Sequence, residues 1–244
     1  MIENIFVVMP AYNAGKTIEN VFSRIPEEAR QRITKIVDVL GKQHGSPKRQ
    51  VQLDPISVLI HTILSQNTTD TNSEGAFRAL SIAFDNWEDL VRSDTDSIAR
   101  CIRRSGLGRI KAQRIKQALQ EIIDRHGQLE LGFLSQLSLS DAEAWLQSLT
   151  GVGLKTARCV LLFSLGMPAL PVDTHILRVT KRLGLLNNKI SVEKAHLVLG
   201  NIVPSHDVYR FHILLIEHGR KTCRARYPDC HNCLLREECI SSSL

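Results

Sequence analysis

The chain has 244 residues, 43% of them hydrophobic, so it can bury a sizeable core and is not a disordered protein. It contains no run of about 18 apolar residues and no secretory signal pattern, which excludes a membrane span and predicts a cytoplasmic protein. The formal net charge is +6, and eight Lys or Arg residues fall between Arg100 and His126; this charge favours a polyanionic partner.

The first 25 residues differ in pattern from the rest of the chain. Residues 5–17 (IFVVMPAYNAGKT) predict a strand, a turn and the start of a helix. Residues 6–25 resemble the opening strand and loop of family 2 glycosyltransferases. That family needs a complete nucleotide-sugar domain, whereas residues 36–41 (IVDVLG) already lead into a helical pattern here, and a lone strand is marginal. We therefore expect a short leader outside the fold, without transferase activity.

From Leu53 onward the apolar residues recur at helical spacing, and period-2 alternation is nearly absent, so the body is predicted to be all-α. One long helix is amphipathic, with basic residues away from its apolar face. The apolar face carries Ile115, Ala118, Leu119, Ile122 and Ile123, and the basic residues are Lys111, Arg114, Lys116 and Arg125.

Capping patterns predict where three further helices begin. Residues 140–143 (SDAE) form a capping box. Ser191 is expected to cap a helix that runs to about residue 201. Asp207 is expected to open another helix, which Gly219 should stop.

Residues 149–157 (LTGVGLKTA) are predicted to join two helices. Gly151 and Gly153 permit a tight turn with positive φ and leave backbone N–H groups open to a nucleic-acid phosphate. Lys155 falls in the first turn of the second helix, where the helix dipole should lower its pKa and enlarge its nucleophilic fraction. The alternative is a surface lysine that contacts phosphate.

Residues 170–178 (LPVDTHILR) place Asp173 at the N-cap of a helix. A second and compatible interpretation is a carboxylate that faces Lys155 across a cleft and stabilises positive charge at a sugar C1′. His175 receives no chemical role.

Four cysteines near the end of the chain follow the pattern C-x6-C-x2-C-x5-C. Four thiolates in one short loop repel each other, and a metal centre relieves that repulsion. The spacing is compatible with tetrahedral zinc, for which His231 is a spare ligand, and with an iron–sulfur cluster. Disulfides or free thiols are the remaining alternative. Cys101 and Cys159 lie within helical patterns and are interpreted as core thiols.

These motifs occur in one order: GVGLKTA, then PVDTH, then HGRKTC with the cysteine array. From Ile33 to Cys239 this ordered set resembles the endonuclease III family of the helix–hairpin–helix glycosylase superfamily. The resemblance implies that Lys155 is a Schiff-base nucleophile and Asp173 the catalytic carboxylate. It also implies a [4Fe–4S] cluster, held by Cys223, Cys230, Cys233 and Cys239.

The resemblance further implies two helical domains with a DNA cleft between them. Residues 47–167 would form a six-helix barrel that contains the helix–hairpin–helix. Residues 26–46 and 168–244 would form the iron–sulfur cluster domain, with residues 1–25 outside both.

The DNA contacts are expected in two regions. Gln66 or Asn67 should fill the space left by a flipped base. Phosphates should be held by backbone N–H groups and basic side chains, namely those of Gly151, Gly153, Arg220, Lys221 and Arg224. Family members often carry Pro in place of Thr150 and Arg in place of Leu154, and these departures bear on base preference.

The expected function follows from this resemblance. A monomeric, nucleoid-associated enzyme would remove a damaged base, most favourably an oxidised pyrimidine, from double-stranded DNA and nick the abasic site by β-elimination. Two alternatives stay open: a non-catalytic helix–hairpin–helix module that only grips DNA, and a glycosylase for mismatched or modified cytosine or thymine.

Overall fold

A computed structural model describes residues 27–48 and 53–242, and this part of the chain is helical, without a strand. The predicted all-α body is therefore confirmed. The predicted leader, residues 1–25, lies outside the described residues. None of the described helices combines the length and apolar character needed to cross a membrane.

The described residues divide into two compact units, one within Met1–Arg49 and Leu170–Leu244 and the other within Gln50–Ala169. The first unit holds α1 (Glu27–His44), α9 (Thr174–Arg182), α10 (Val192–Ile202) and α11 (Val208–Lys221). Both α1 and α9 pack on α11. Its interior is mainly aliphatic, and includes Ile33, Ile36, Leu40, Val179, Phe211 and Leu215.

The second unit holds seven of the described α-helices. They are α2 (Pro55–Leu64), α3 (Asp70–Ala83), α4 (Trp87–Arg92), α5 (Thr95–Cys101), α6 (Gly108–His126), α7 (Leu139–Gln147) and α8 (Leu154–Phe163). A 3-10 turn at Arg103–Ser105 connects α5 to α6. Helix α2 packs on α8, and α5 on α6. One apolar core runs through the unit and buries Leu59, Ile63, Ile115 and Leu146 completely.

Of the three predicted helix starts, two hold and one needs correction. Ser191 caps α10 as predicted, since its side chain accepts from the Lys194 N–H. The cap of α7 is Ser138 instead of Ser140, because the Ser138 hydroxyl accepts from the Asp141 N–H. Asp207 is the N-cap residue of α11 but makes no side-chain cap bond.

The predicted stop at Gly219 is wrong, because α11 continues to Lys221. Gly219 serves a close approach between helices. A Cβ there would lie 3.0 Å from the Cβ of His175, and the Gly219 carbonyl accepts a hydrogen bond of 2.8 Å from Arg178 Nη2. The glycine is required by packing and leaves the helix intact.

Candidate functional site

The hairpin between α7 and α8 is a tight turn at residues 148–153. Gly151 has φ +78°, as expected, whereas Gly153 has φ −88°, so only one of the two glycines needs a left-handed backbone. Gly153 is the N-cap residue of α8 and uses no side chain to cap it. A Cβ at Gly153 would meet nothing within 4 Å. Lys155 follows in the first turn of α8 and is exposed.

Side chains of α6 hold this hairpin. The Glu121 carboxylate accepts from the Thr150 N–H at 3.1 Å and from the Thr150 hydroxyl at 2.6 Å. Arg125 Nη1 donates to Ser148 Oγ at 2.6 Å. Burial raises the pKa of Glu121, but the hydrogen bonds from Thr150 outweigh it, so the pKa is lowered overall. Glu121 is therefore ionised near neutral pH and ties both backbone and side chain of Thr150.

Arg114 joins the hairpin to the segment that carries Gln66 and Asn67. A Cβ at Gly151 would lie 2.9 Å from the Cγ and Cδ of Arg114, so the arginine stem passes directly over the glycine. Arg114 Nη1 donates to Gln66 Oε1 at 3.1 Å, and Gln66 Nε2 donates to the Gly151 carbonyl at 3.4 Å. The fold thus brings Gln66 to the hairpin. Asn67 is exposed and has φ +53°.

Asp173 is an N-cap, as predicted: its Oδ1 accepts from the Ile176 N–H at 2.8 Å and starts α9. Two buried histidines fix the residues just before it. His212 Nδ1 lies 3.0 Å from the Pro171 carbonyl, and the Val172 N–H donates to His196 Nε2 at 3.0 Å. Asp173 and Lys155 belong to different units.

The four cysteines of the C-terminal array line one cavity of about 290 Å³ in the first unit; they are Cys223, Cys230, Cys233 and Cys239. Arg182 Nη1 donates to Cys223 Sγ at 3.3 Å and to the Arg224 carbonyl at 2.7 Å. Within the described residues no three His, Cys, Asp or Glu side chains converge on a single metal-ion position. His231 does not line this cavity.

The environment of the cavity affects several of its groups. Burial raises the pKa of Cys233 and Cys239, and neighbouring cysteines raise both further. Burial, with a smaller contribution from His44, lowers the pKa of His218 to about 4, so this imidazole is neutral at pH 7. His218 Nε2 lies 3.8 Å from Cys233 Sγ. Of the other two cysteines, Cys159 is buried, and Cys101 is partly buried against the core of the second unit.

The basic residues predicted to contact phosphate lie at and after the end of α11. Arg220, Lys221 and Arg224 are all exposed. Lys221 forms an ion pair with Glu217 one turn earlier on the same helix.

Sequence reasoning missed the side chains of α6 that hold the hairpin. Arg114, Glu121 and Arg125 are spaced seven and four residues apart, and residues at this spacing share one face of a helix. That polar stripe beside the apolar face was the available signal. The basic residues were predicted only to lie away from the apolar face, and Glu121 was given no role.

The chain is similar to known DNA repair proteins in both sequence and fold. The model of the HhH-GPD superfamily of base excision DNA repair proteins matches residues 60–205. Endonuclease III of Rickettsia felis is 33% identical over 212 residues, 86% of this chain and 94% of that protein. An Arabidopsis thaliana protein, provisionally named a DNA glycosylase, is 36% identical over 162 residues. The matched region covers 66% of this chain and 55% of that relative. A solved non-covalent endonuclease III–DNA complex has a TM-score of 0.76 at 29% identity, covering 88% of this chain and 96% of that chain.

Proposed function

The chain belongs to the HhH-GPD superfamily of base excision DNA repair proteins and to its endonuclease III members, and on that premise we propose that it removes a damaged base from double-stranded DNA and then nicks the abasic site. The observation that carries the proposal is the position of Lys155. This exposed amine stands in the first turn of α8, directly after a hairpin whose backbone is held by α6. An amine on a rigid support can be aimed at one atom of a substrate.

The proposed reaction begins when the target nucleotide leaves the base stack, at a cost of about a few kcal/mol. The uncharged Lys155 Nζ uses its lone pair to bond to C1′. The C1′–N glycosidic bond breaks, and its electron pair leaves with the base, which takes up a proton. Opening of the sugar ring then gives a Schiff base. The imine acidifies the C2′ hydrogen, and loss of that proton expels the 3′ phosphate oxygen with its electron pair.

Asp173 is proposed to stabilise the positive charge that develops at C1′. Its carboxylate is held by the N-cap bond to Ile176, and the chain before it is held by His196 and His212. Phosphates are proposed to bind the N–H groups of Gly151 and Gly153 and the side chains of Arg220, Lys221 and Arg224. Gln66 and Asn67 are proposed to occupy the space left by the flipped base.

We assign a [4Fe–4S] cluster to the four-cysteine cavity. Four cysteine thiols line one cavity, and neighbouring cysteines help to raise the pKa of two of them, Cys233 and Cys239; such a set of thiols suits a cationic centre. Cys223, Cys230, Cys233 and Cys239 would hold the cluster through their thiolates. When bound, the cluster supplies a cross-link for the basic loop. Arg182 orients that loop by its bonds to Cys223 Sγ and to the Arg224 carbonyl.

The two units correspond, in this proposal, to the barrel and cluster domains of the family. The preferred lesion is proposed to be an oxidised pyrimidine. A mismatched or modified cytosine or thymine is the competing substrate class, and a panel of duplexes with one lesion each separates them.

The central test is borohydride trapping of the protein on duplex DNA that contains an abasic site. Lys155→Arg keeps the positive charge but replaces the amine by a guanidinium, which stays protonated and is a poor nucleophile. We expect trapping and incision to fall by about a thousandfold or more, with DNA binding largely kept. Asp173→Asn is the matched comparison: it should slow base removal and leave binding intact. Normal trapping of Lys155→Arg would place the nucleophile elsewhere.

A further inference from the structure

Lys111 is buried in the second unit, with 1% of its surface exposed, and is the largest fully buried side chain among the described residues. The sequence predicted it on a polar face of α6, and that prediction is wrong. Its ammonium donates to two backbone carbonyls, those of Leu64 and Ser105, each at 2.7 Å. Desolvation by burial lowers its pKa. The mechanism proposed above gives this group no role, although burial of a lysine ammonium is costly.

The two carbonyls that Lys111 binds are the ends of two helical elements. Leu64 is the last residue of α2, and Ser105 is the last residue of the 3-10 turn at Arg103–Ser105. Carbonyl groups at such ends carry partial negative charge and lack a partner within the helix. One ammonium therefore satisfies both ends and fixes the two chain segments next to each other.

Each of the two segments contains, shortly after its bound carbonyl, a residue with an uncommon backbone conformation. In the described part of the chain, three residues other than glycine have a left-handed backbone. Two of them are Asn67 (φ +53°), three residues after Leu64, and Leu107 (φ +51°), two residues after Ser105. Asparagine adopts this conformation readily, whereas a leucine there is strained and persists only where the surrounding structure holds it. The Leu107 side chain is exposed over 54% of its surface.

From this arrangement we infer that Lys111 is a positioning residue, whose ammonium holds the 65–69 and 105–108 loops in one strained conformation ready to enter the DNA base stack. The inference rests on the proposed function, because it assigns the two loops to the base-flipping step. It gives different roles to two lysines of the second unit. Lys155 is exposed and proposed to react, whereas Lys111 is enclosed and cannot reach a substrate.

The test compares two substrates that differ in their need for base flipping. One is a duplex with a single damaged base, and the other is a single-stranded oligonucleotide with an abasic site, which has no partner strand to displace. Lys111→Met keeps the length of the side chain but loses both hydrogen bonds. We expect its excision from the duplex to fall about tenfold or more, because small misplacements of a site are costly. Its borohydride trapping on the single strand should stay within about twofold of wild type.

Lys116→Met is the matched control. Lys116 lies on the same helix, is partly buried and also donates to a backbone carbonyl, that of Ser93, which belongs to neither loop. This variant should keep both activities. A purely structural role of Lys111 would lower both activities of Lys111→Met together, by the fraction of protein unfolded, and that result would overturn the inference.

Three further outcomes are decisive. If Lys111→Met does not fold, Lys111→Gln retains one amide donor and is compared in the same way; failure of both variants to fold would make Lys111 a core requirement and end the inference. Wild-type protein that neither excises nor becomes trapped would instead refute the proposed function. Wild type active on both substrates, with Lys111→Met equally active on both, would refute the inference alone.

Discussion

The hairpin at residues 148–153 and the cysteine loop at residues 222–239 are both proposed to face DNA, yet they are held in different ways. The hairpin is held by side chains of a single helix, since Glu121, Arg125 and Arg114 of α6 all contact it. The cysteine loop surrounds a cavity lined by four thiols, and arginines of α9 bind its carbonyls.

The difference shows two ways to build a rigid loop. The position of the hairpin is specified by ordinary hydrogen bonds and packing within one unit. The position of the cysteine loop depends in addition on what its four thiols bind. The two regions should therefore respond differently to the same kind of substitution, and three predictions use that contrast.

The largest effect is expected in the cysteine loop. Cys230→Ser removes one cluster ligand, so iron content and broad visible absorbance should fall well below those of a wild type with about four irons per chain. DNA affinity should fall with them, since the basic residues around Cys223 lose their support. Cys101→Ser, outside the loop, is the control and should cost little when the hydroxyl finds a partner. A colourless, zinc-loaded and fully active wild type would contradict the assignment.

An intermediate effect is expected in the hairpin. Glu121→Gln weakens the bonds to Thr150, and we expect a loss of about 1–3 kcal/mol in the free energy of unfolding. The folded-state pKa of Glu121 is lowered. Its contribution is therefore present above the unfolded pKa and is lost as the pH falls through the folded pKa. Denaturant unfolding of wild type and Glu121→Gln between neutral and acidic pH measures this contribution. The difference between their free energies of unfolding should become smaller in acid.

The control for that experiment is Asp124→Asn on the same helix, an exposed carboxylate whose Oδ1 accepts from Gln120. It should change the free energy of unfolding by only about a few tenths of a kcal/mol, because a pair exposed to solvent contributes little. If the difference in free energy of unfolding between wild type and Glu121→Gln stays constant with pH, the carboxylate charge is not what holds Thr150.

The smallest effect is expected from the basic residues at the end of α11. Lys221→Gln should weaken binding to damaged and undamaged duplexes alike, and lower the slope of log affinity against log salt by about 0.9. Arg92→Gln is the control, because Arg92 is also exposed and paired with a carboxylate on its own helix, that of Asp89. Equal salt slopes for wild type and Lys221→Gln would place Lys221 away from DNA.

The sequence was most informative where a local rule decides the structure. Helical periodicity predicted the buried face of α6, and the caps at Ser191 and Asp173 follow from hydrogen bonds within a single turn. These features depend on residues three or four positions apart, so they can be recognised without knowledge of the fold.

Predictions failed where distant parts of the chain meet. Lys111 is buried because the ends of two other elements supply its acceptors, and those carbonyls carry no sequence signature. Gly219 lies inside a helix, where His175 of another helix packs against it. The predicted cap of α7 failed for a local reason instead: Ser138 and Ser140 are both residue types that cap helices, and the backbone of α7 selects Ser138.

The passage of Arg114 over Gly151 has a consequence for how this protein can change over evolutionary time. Any larger residue at position 151 would collide with the arginine stem at 2.9 Å and would also need a left-handed backbone at φ +78°. A substitution at position 151 would therefore have to displace this stem as well as adopt that backbone, and shortening position 114 to make room would give up the bond to Gln66. The glycine is thus protected by its neighbour as well as by its own conformation.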